Sequence, residues 1–258
     1  MGRGDFGFDG LYSLRAVDSW IAVINSNLNA AGRTGYKASK VKFRGGVTET
    51  VRNPVGPLLG IQLPETTIQI DQTGIDFSQG SIVSSTEPTH LAIQGRGFFA
   101  LSTTIGGAPQ YYTRDGEFHV IVDTANGNQL QLVHSTGLYL VGNAAGQRAV
   151  LDQPNGRVVM NGVITNVFDE TDILNTNTPN FLRFSRYGST VFESTVDSTM
   201  AAMTAGAARV VPQTLESSNS SLSQTLPELS LAQKFFSAVS KVISVHQTNL
   251  DTVINLVR

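Results

Sequence analysis

No cysteine occurs in the 258-residue chain, which excludes disulfides and thiolate metal sites and is compatible with export into an oxidising space. Charge is also scarce. Only 15% of residues are charged, against roughly 25% in an average soluble domain, and the formal net charge is -2. That balance gives no electrostatic footing for nucleic acid or for an anionic membrane surface. The longest apolar runs stop far short of the ~18 to 20 residues that a spanning helix needs, so no membrane insertion is expected. Met1 to Gly10 lacks the basic region and following apolar stretch of a cleavable secretory signal, so export, if any, is expected by another route. What is present is apolar sequence, 40% of residues, enough for a sizeable core in one large domain or two small ones.

The motifs of catalysis are missing too. His90, His119, His134 and His246 include no pair at metal-ligand spacing, so no metal site is expected. Asp169, Glu170 and Asp172 form an acidic cluster, but nothing nearby supplies a nucleophile, a base or an oxyanion donor, and a solvated turn is the expectation. Gly2, Gly4 and Gly7 spell G-x-G-x-x-G without the preceding strand that the nucleotide-binding fingerprint requires. The serine-rich stretch 217–223 lacks the G-x-S-x-G elbow. No catalytic residue and no cofactor are expected.

Against these absences stand two heptad seams. Leu229, Ala232, Phe236, Val239, Ile243, Leu250, Val253 and Val257 recur at alternating steps of three and four once His246 fills the open slot, a period of 3.5 residues. Leu14, Val17, Ile21, Ile24, Leu28 and Ala31 repeat the pattern near the other end. A seam two positions wide cannot be shielded within a lone helix, so each end needs a partner. The outward positions of the C-terminal helix carry Ser237, Ser240, Ser244, Gln247, Thr248, Asn249, Thr252 and Asn255 in place of charge. Uncharged amides and hydroxyls suit a helix touched on several sides by other subunits, where unpaired charge is costly to bury. The expected polymerisation interface is therefore Leu14, Val17, Ile21, Ile24 and Leu28 with Phe236, Val239, Ile243, His246, Leu250, Val253 and Val257. A titrating ring at His246 would make the packing sensitive to pH near neutrality.

Between the seams the pattern changes. The first helix is expected over about 11–31 with Gly32 as its stop, after a glycine-rich, flexible residues 1–10. The glycines and Pro54, Pro57 and Pro64 forbid a long helix from Phe43 to Pro64 and predict an irregular connector. Ile68 and Ile70, Ile75 and Phe77, then Ile82 alternate as short strands separated by 71–74 and 78–80. The densest core signal is Leu91 to Leu101, where Gly95 and Gly97 predict a bulge or sharp turn feeding Phe98 and Phe99 inward. Asp115-Gly116 predicts a hairpin turn, as does Asn126-Gly127. A smaller β module, with Asn155-Gly156 and Asn161-Gly162 as turns and Phe181, Phe184, Tyr187 and Phe192 as core, is expected next. The fold class is α+β, with N- and C-terminal helices paired as a coiled coil around a mainly antiparallel middle. The boundaries are 1–40 for the N-terminal helix, 41–66 for a connector and 67–146 for a β-rich domain. The smaller β module takes 147–205, a second connector 206–228 and the C-terminal helix 229–258.

Several blocks, in this order and spacing, resemble the bacterial flagellar rod and hook family over most of the chain. They are Ile24-Asn25-Ser26-Asn27-Leu28-Asn29 followed by Thr34-Gly35-Tyr36-Lys37, then Asp76 to Ser81, Leu91-Ala92-Ile93 with Gly95 and Gly97-Phe98-Phe99. Tyr112 to Gly116 with Phe118, Leu215-Glu216 with Ser218-Asn219, and Ser240 to Ile243 with Leu250-Asp251-Thr252 and Ile254-Asn255-Leu256 complete the likeness. The length and single modest middle module are more similar to rod members than to hook members, which normally carry more β structure. The resemblance implies a structural, non-enzymatic subunit of a hollow axial filament that transmits torque and encloses an export channel. It implies self-association, other rod and hook subunits as partners, residence in the basal body, and delivery by the flagellar type III export apparatus. Within the resemblance a proximal rod or hook-type axial subunit is the alternative; without it, a secreted β-rich adhesin or phage-tail-like module is, and an enzyme is the weakest.

Overall fold

The computed structural model describes residues 6–46, 49–52, 61–63, 67–124, 129–142, 149–152, 157–160, 174–175, 182–195, 200–202 and 208–256. The fold is α+β, with one long helix near each end of the chain and mostly antiparallel sheets between them. It divides into two compact units.

The first unit comprises Met1–Asn29, Ser39–Gly74 and Ser221–Arg258. Its frame is helix α1, Phe6–Asn29, packed on helix α2, Leu222–Leu256. A Cβ on Gly10 would stand 2.7 Å from Ile243 Cγ1, and Trp20 meets Phe235 edge-on with ring centroids 6.5 Å apart. Moving forward along α1 therefore means moving backward along α2, so the helices run antiparallel. Ala16, Val17, Ile24 and Ala232 are buried in this unit. Strand β1, Ser39–Gly45, pairs with β4, Ile68–Ile75, while β2, Glu49–Arg52, pairs antiparallel with β3, Ile61–Leu63. Asn27 ties α1 to β1 in both directions: its Nδ2 donates to the Ser39 carbonyl at 2.7 Å, and its Oδ1 accepts from the Ser39 N–H at 2.8 Å.

Three boundaries differ from expectation. Helix α1 starts at Phe6, so the glycine-rich leader is partly helical, and Gly10 is what lets the two helix axes approach. Helix α2 starts at Leu222 and takes in Pro227. The ring removes only the bond that an N–H at 227 would make to the Ser223 carbonyl, and the helix continues past it. Ser221 stands at the N-cap position, where a hydroxyl residue is favoured, and its carbonyl accepts from the Thr225 N–H at 2.9 Å. The connector 41–66 contains most of β1 together with β2 and β3, because forbidding a helix does not forbid short strands; Pro54, Pro57 and Pro64 themselves lie outside the described residues.

The second unit comprises Ala30–Ala38 and Ile75–Ser220. Its strands are β5, Ile82–Ser84; β6, Leu91–Gly95; β7, Phe99–Ser102; β8, Tyr111–Thr113; β9, Phe118–Asp123; β10, Gln129–His134; and β11, Tyr139–Val141. Next come β12, Ala149–Asp152; β13, Arg157–Met160; β14, Leu174–Asn175; β15, Leu182–Ser185; β16, Gly188–Ser194; β17, Ala201–Ala202; β18, Ala208–Pro212; and β19, Thr214–Glu216. Nine of them form one sheet in the order β13-β12-β10-β11-β7-β8-β16-β15, with β9 also on β10. Side-chain alternation splits its core in two. Phe99 and Leu101 of β7, Leu140 of β11 and Val191 of β16 enter one cluster, while Phe98, Ala100, Val141 and Phe192 enter another. A sheet with apolar packing on both sides explains why the run from Phe98 to Leu101 is continuous rather than alternating. Gly95 and Gly97, at φ 108° and 109°, make the bend before it that the sequence predicts.

Here too the structure corrects details. Asp115-Gly116 joins β8 to β9, but β8 pairs with β7 and β16 and β9 pairs with β10, so the turn is a crossover and not a hairpin. Residues 71–74 do not separate strands: they lie within β4, whose middle is exposed, and polar side chains facing water do not interrupt backbone pairing. The stretch 147–205 is not a module apart, since β12, β13, β15 and β16 belong to the same sheet as β7 to β11. The connector 206–228 contains β18, paired with β6, and β19, paired with β5, followed by the start of α2. Asn126-Gly127, Asn155-Gly156, Asn161-Gly162, Phe181 and the acidic cluster Asp169, Glu170 and Asp172 lie outside the described residues.

Candidate assembly surface and a buried ionic clamp

The seam residues of α1 are all at least half-buried: Val17 and Ile24 fully, Leu14, Ile21 and Leu28 in part. On α2, Val239, Ile243 and His246 are half-buried, whereas Phe236, Leu250 and Val253 are 37%, 48% and 57% exposed. Val257 lies outside the described residues. Helix α2 also exposes Leu231, Phe235, Val242, Val245 and Leu256. These fall at steps of four, seven, three and eleven residues, another heptad series displaced from the first, and the sequence reading missed it because it followed a single seam.

Where α1, α2 and the strands meet within the first unit, a groove of about 580 Å³ is lined by Val17, Trp20, Phe43, Arg44, Gly45, Thr67, Ile68 and Phe235. Trp20 stands edge-on to Phe43 at 5.2 Å. Arg44 reaches Gln69 at 3.2 Å and stands 4.0 Å from Asp71, its side chain 64% exposed. The lining is mainly aromatic and aliphatic, with the Thr67 hydroxyl within it and one cation, Arg44, at the rim. It suits an apolar contact surface.

The second unit holds a buried cluster that composition and periodicity did not reveal. Glu216, at the end of β19, receives Lys37 Nζ on Oε1 at 2.5 Å and Arg114 Nη1 on Oε2 at 3.0 Å, with all three side chains essentially inaccessible. The Gly80 N–H also donates to Glu216 Oε1 at 2.8 Å, and Lys37 donates to the Ser78 carbonyl at 2.8 Å. Arg114 extends to the carbonyls of Ile93 and Gly95 at 3.1 and 2.6 Å and lies over the Phe98 ring. Burial pulls the Lys37 ammonium below its ordinary pKa against the opposing attraction of Glu216, and burial likewise lowers Arg114.

Backbone geometry completes the clamp. The Gly35 N–H donates to the Glu216 carbonyl at 2.7 Å. Gly35 sits at φ +63°, and a Cβ there would come 2.2 Å from the Asp115 nitrogen, so any side chain would collide. Asn219 Oδ1 accepts from the Ala38 N–H at 2.7 Å, while its Nδ2 donates to the Asp76 carbonyl at 2.6 Å. His134 Nε2 stands 3.2 Å from Asp115 Oδ2, off the line of a hydrogen bond, and Thr34 donates to Asp115 Oδ1 at 3.0 Å. The blocks on which the family resemblance rests, Thr34 to Lys37, Asp76 to Gly80, Arg114-Asp115 and Glu216 with Asn219, thus converge on one polar knot. Far apart in the chain, they carry no spacing signal that would have joined them.

Comparison with known proteins agrees with this convergence. Residues 92–166 match the family described as flagellar hook protein FlgE/F/G D1 domain. The chain is 25% identical to the flagellar basal-body rod protein FlgG of Bacillus subtilis, covering 97% of this chain and 98% of that protein. It is 27% identical to FlgG of Buchnera aphidicola over 86% of this chain and 88% of that one. The flagellar hook protein FlgE of Helicobacter mustelae is 32% identical, but over 47% of this chain and 27% of its own length. The rod proteins align with this chain almost from end to end, and the blocks that carry the likeness assemble the clamp, so the chain is similar to the bacterial flagellar rod and hook family.

Proposed function

We propose that this protein is a structural subunit of the flagellar rod, of the distal type, polymerising into a hollow axial filament that transmits torque and encloses the export channel. The observation that carries the reading is the outer surface of α2. Eleven of the large hydrophobic residues exposed on the chain lie on this one helix, from Leu222 at 54% to Leu256 at 81% exposure. Its only charged residues are Glu228, Lys234, Lys241 and Asp251. A helix this apolar and this exposed needs cover that one chain does not supply. Several copies packed about a common axis supply it, and heterologous contacts that do not close on themselves generate a helical polymer. On this reading α1 and α2 tighten into a coiled coil along their seams and the β unit gives lateral contacts.

A near full-length match to rod proteins supports the rod position, since the hook protein of Helicobacter mustelae aligns over about a quarter of its length, 27%. The partners are further copies, neighbouring rod and hook subunits, and the type III export apparatus that would deliver the chain to the basal body. Negative-stain microscopy of the purified chain, alone and with rod or hook extracts, is the test. Ordered tubes or rods are the expected result. A chain that stays monomeric at every concentration, with and without extract, contradicts the reading.

A further inference from the structure

Resting on that assembly reading, we propose a specific heterologous joint: the last turns of α2 from one copy seat in the groove beside Trp20 of another. The groove is mainly apolar, formed by Val17, Trp20, Phe43, Ile68 and Phe235 with Thr67 as its one hydroxyl, and its rim carries the exposed Arg44. The insert has the complementary character. Leu250, Val253 and Ile254 follow one another at i, i+3 and i+4, which places them on one face of the helix. They are 48%, 57% and 61% exposed. Asp251, three residues before Ile254, borders the same face and is exposed. It is the only acidic residue in the last two dozen positions of α2. An aliphatic ridge edged by one carboxylate thus meets an aromatic groove edged by one guanidinium, a pairing that fixes register as well as attraction.

The occupant has to come from a second copy. In the antiparallel pair Phe235 lies beside Trp20 and Ile243 beside Gly10, so α2 beyond residue 248 overhangs the first turn of α1. Asp251 is sixteen residues from Phe235, about 24 Å along the helix at 1.5 Å per residue. A rigid helix cannot fold its own tail back into its own groove. Donor and acceptor surfaces are different patches of the same chain, so each occupied groove leaves a free tail and each tail a free groove, and the contact propagates.

Because the chain has no cysteine, the joint can be read by site-directed cross-linking. Lys42→Cys lies beside the groove rim and Asn255→Cys beside the inserted ridge. The two variants, carrying different tags, are mixed, assembled and treated with a short bismaleimide. A cross-linked heterodimer confined to the assembled fraction is expected, with no product from a single monomeric chain carrying both changes. In parallel, Arg44→Glu and Asp251→Arg are each expected to raise the concentration needed for assembly about tenfold, and the double reversal to restore it. Assembly that proceeds without the cross-link and is indifferent to Arg44→Glu overturns the joint while leaving the rod reading intact. Capture of the residue 255 cysteine by another flagellar protein, or a small apolar molecule found in the groove of the purified chain, overturns it by naming a different occupant. Absence of any assembly removes both readings.

Discussion

At the scale of single residues, Glu216 carries the largest electrostatic obligation. It is the anion shared by two buried cations, and removing one partner from a buried pair leaves uncompensated charge, at a cost of about 3–5 kcal/mol. Glu216→Ala is therefore expected to destabilise the β unit by that amount in urea denaturation. Lys37→Met should cost less, because Glu216 keeps Arg114 at 3.0 Å and the Gly80 N–H at 2.8 Å. Alkaline pH separates the two roles. The folded pKa of Lys37 lies below its ordinary 10.5, chiefly through burial, so in that window the unfolded chain holds more protons than the folded one. Stability then rises with pH. The burden of the buried ammonium is fully present below the folded value and is relieved as pH climbs through it toward 10.5. The parent protein should gain stability relative to Lys37→Met across that window, and a difference independent of pH would contradict the assignment.

At the scale of elements, the two helices explain what periodicity can and cannot tell. The 3.5-residue spacing identified the half-buried series Val239, Ile243 and His246 because burial along one face leaves a regular trace in sequence. It located the ends poorly. The C-terminal helix was expected from 229, yet α2 begins at Leu222 and takes in Pro227, and the first ten residues read as flexible although Gly10 lies inside α1 against Ile243. Ala232 is fully buried on a helix that is otherwise mostly exposed. Ala232→Leu should overpack that contact and cost about 1–3 kcal/mol, with a red shift of Trp20 emission as the ring three residues away on α2, Phe235, is displaced. The short strands of the β unit were legible as strands because alternation and turn residues are local signals. Their partners were not: β6 with β18 and β5 with β19 join segments that no periodicity relates.

At the scale of the whole molecule, two units built from interleaved segments should not melt as one. Trp20 is the only tryptophan and belongs to the helical unit, whereas most strands belong to the other. Tryptophan fluorescence and tyrosine absorbance, which comes mostly from Tyr36, Tyr111, Tyr112, Tyr139 and Tyr187 of the β unit, are expected to give transitions with different midpoints in urea, and coincident curves would show a single cooperative fold. The clamp escaped the sequence for the same reason as the sheet order: a buried carboxylate looks like any surface one until the chain closes around it.

The pairing of Ala208 with Gly95 and the salt bridge from Lys37 to Glu216 also fix a timetable. A ribosome or a narrow conduit releases this polypeptide head first, and the early strands must wait, unsealed, for a latch near the tail. Slow closure of that kind is expected of sheets held by distant segments. On the proposed export reading, delay is an asset: the β unit cannot lock until Glu216 has emerged.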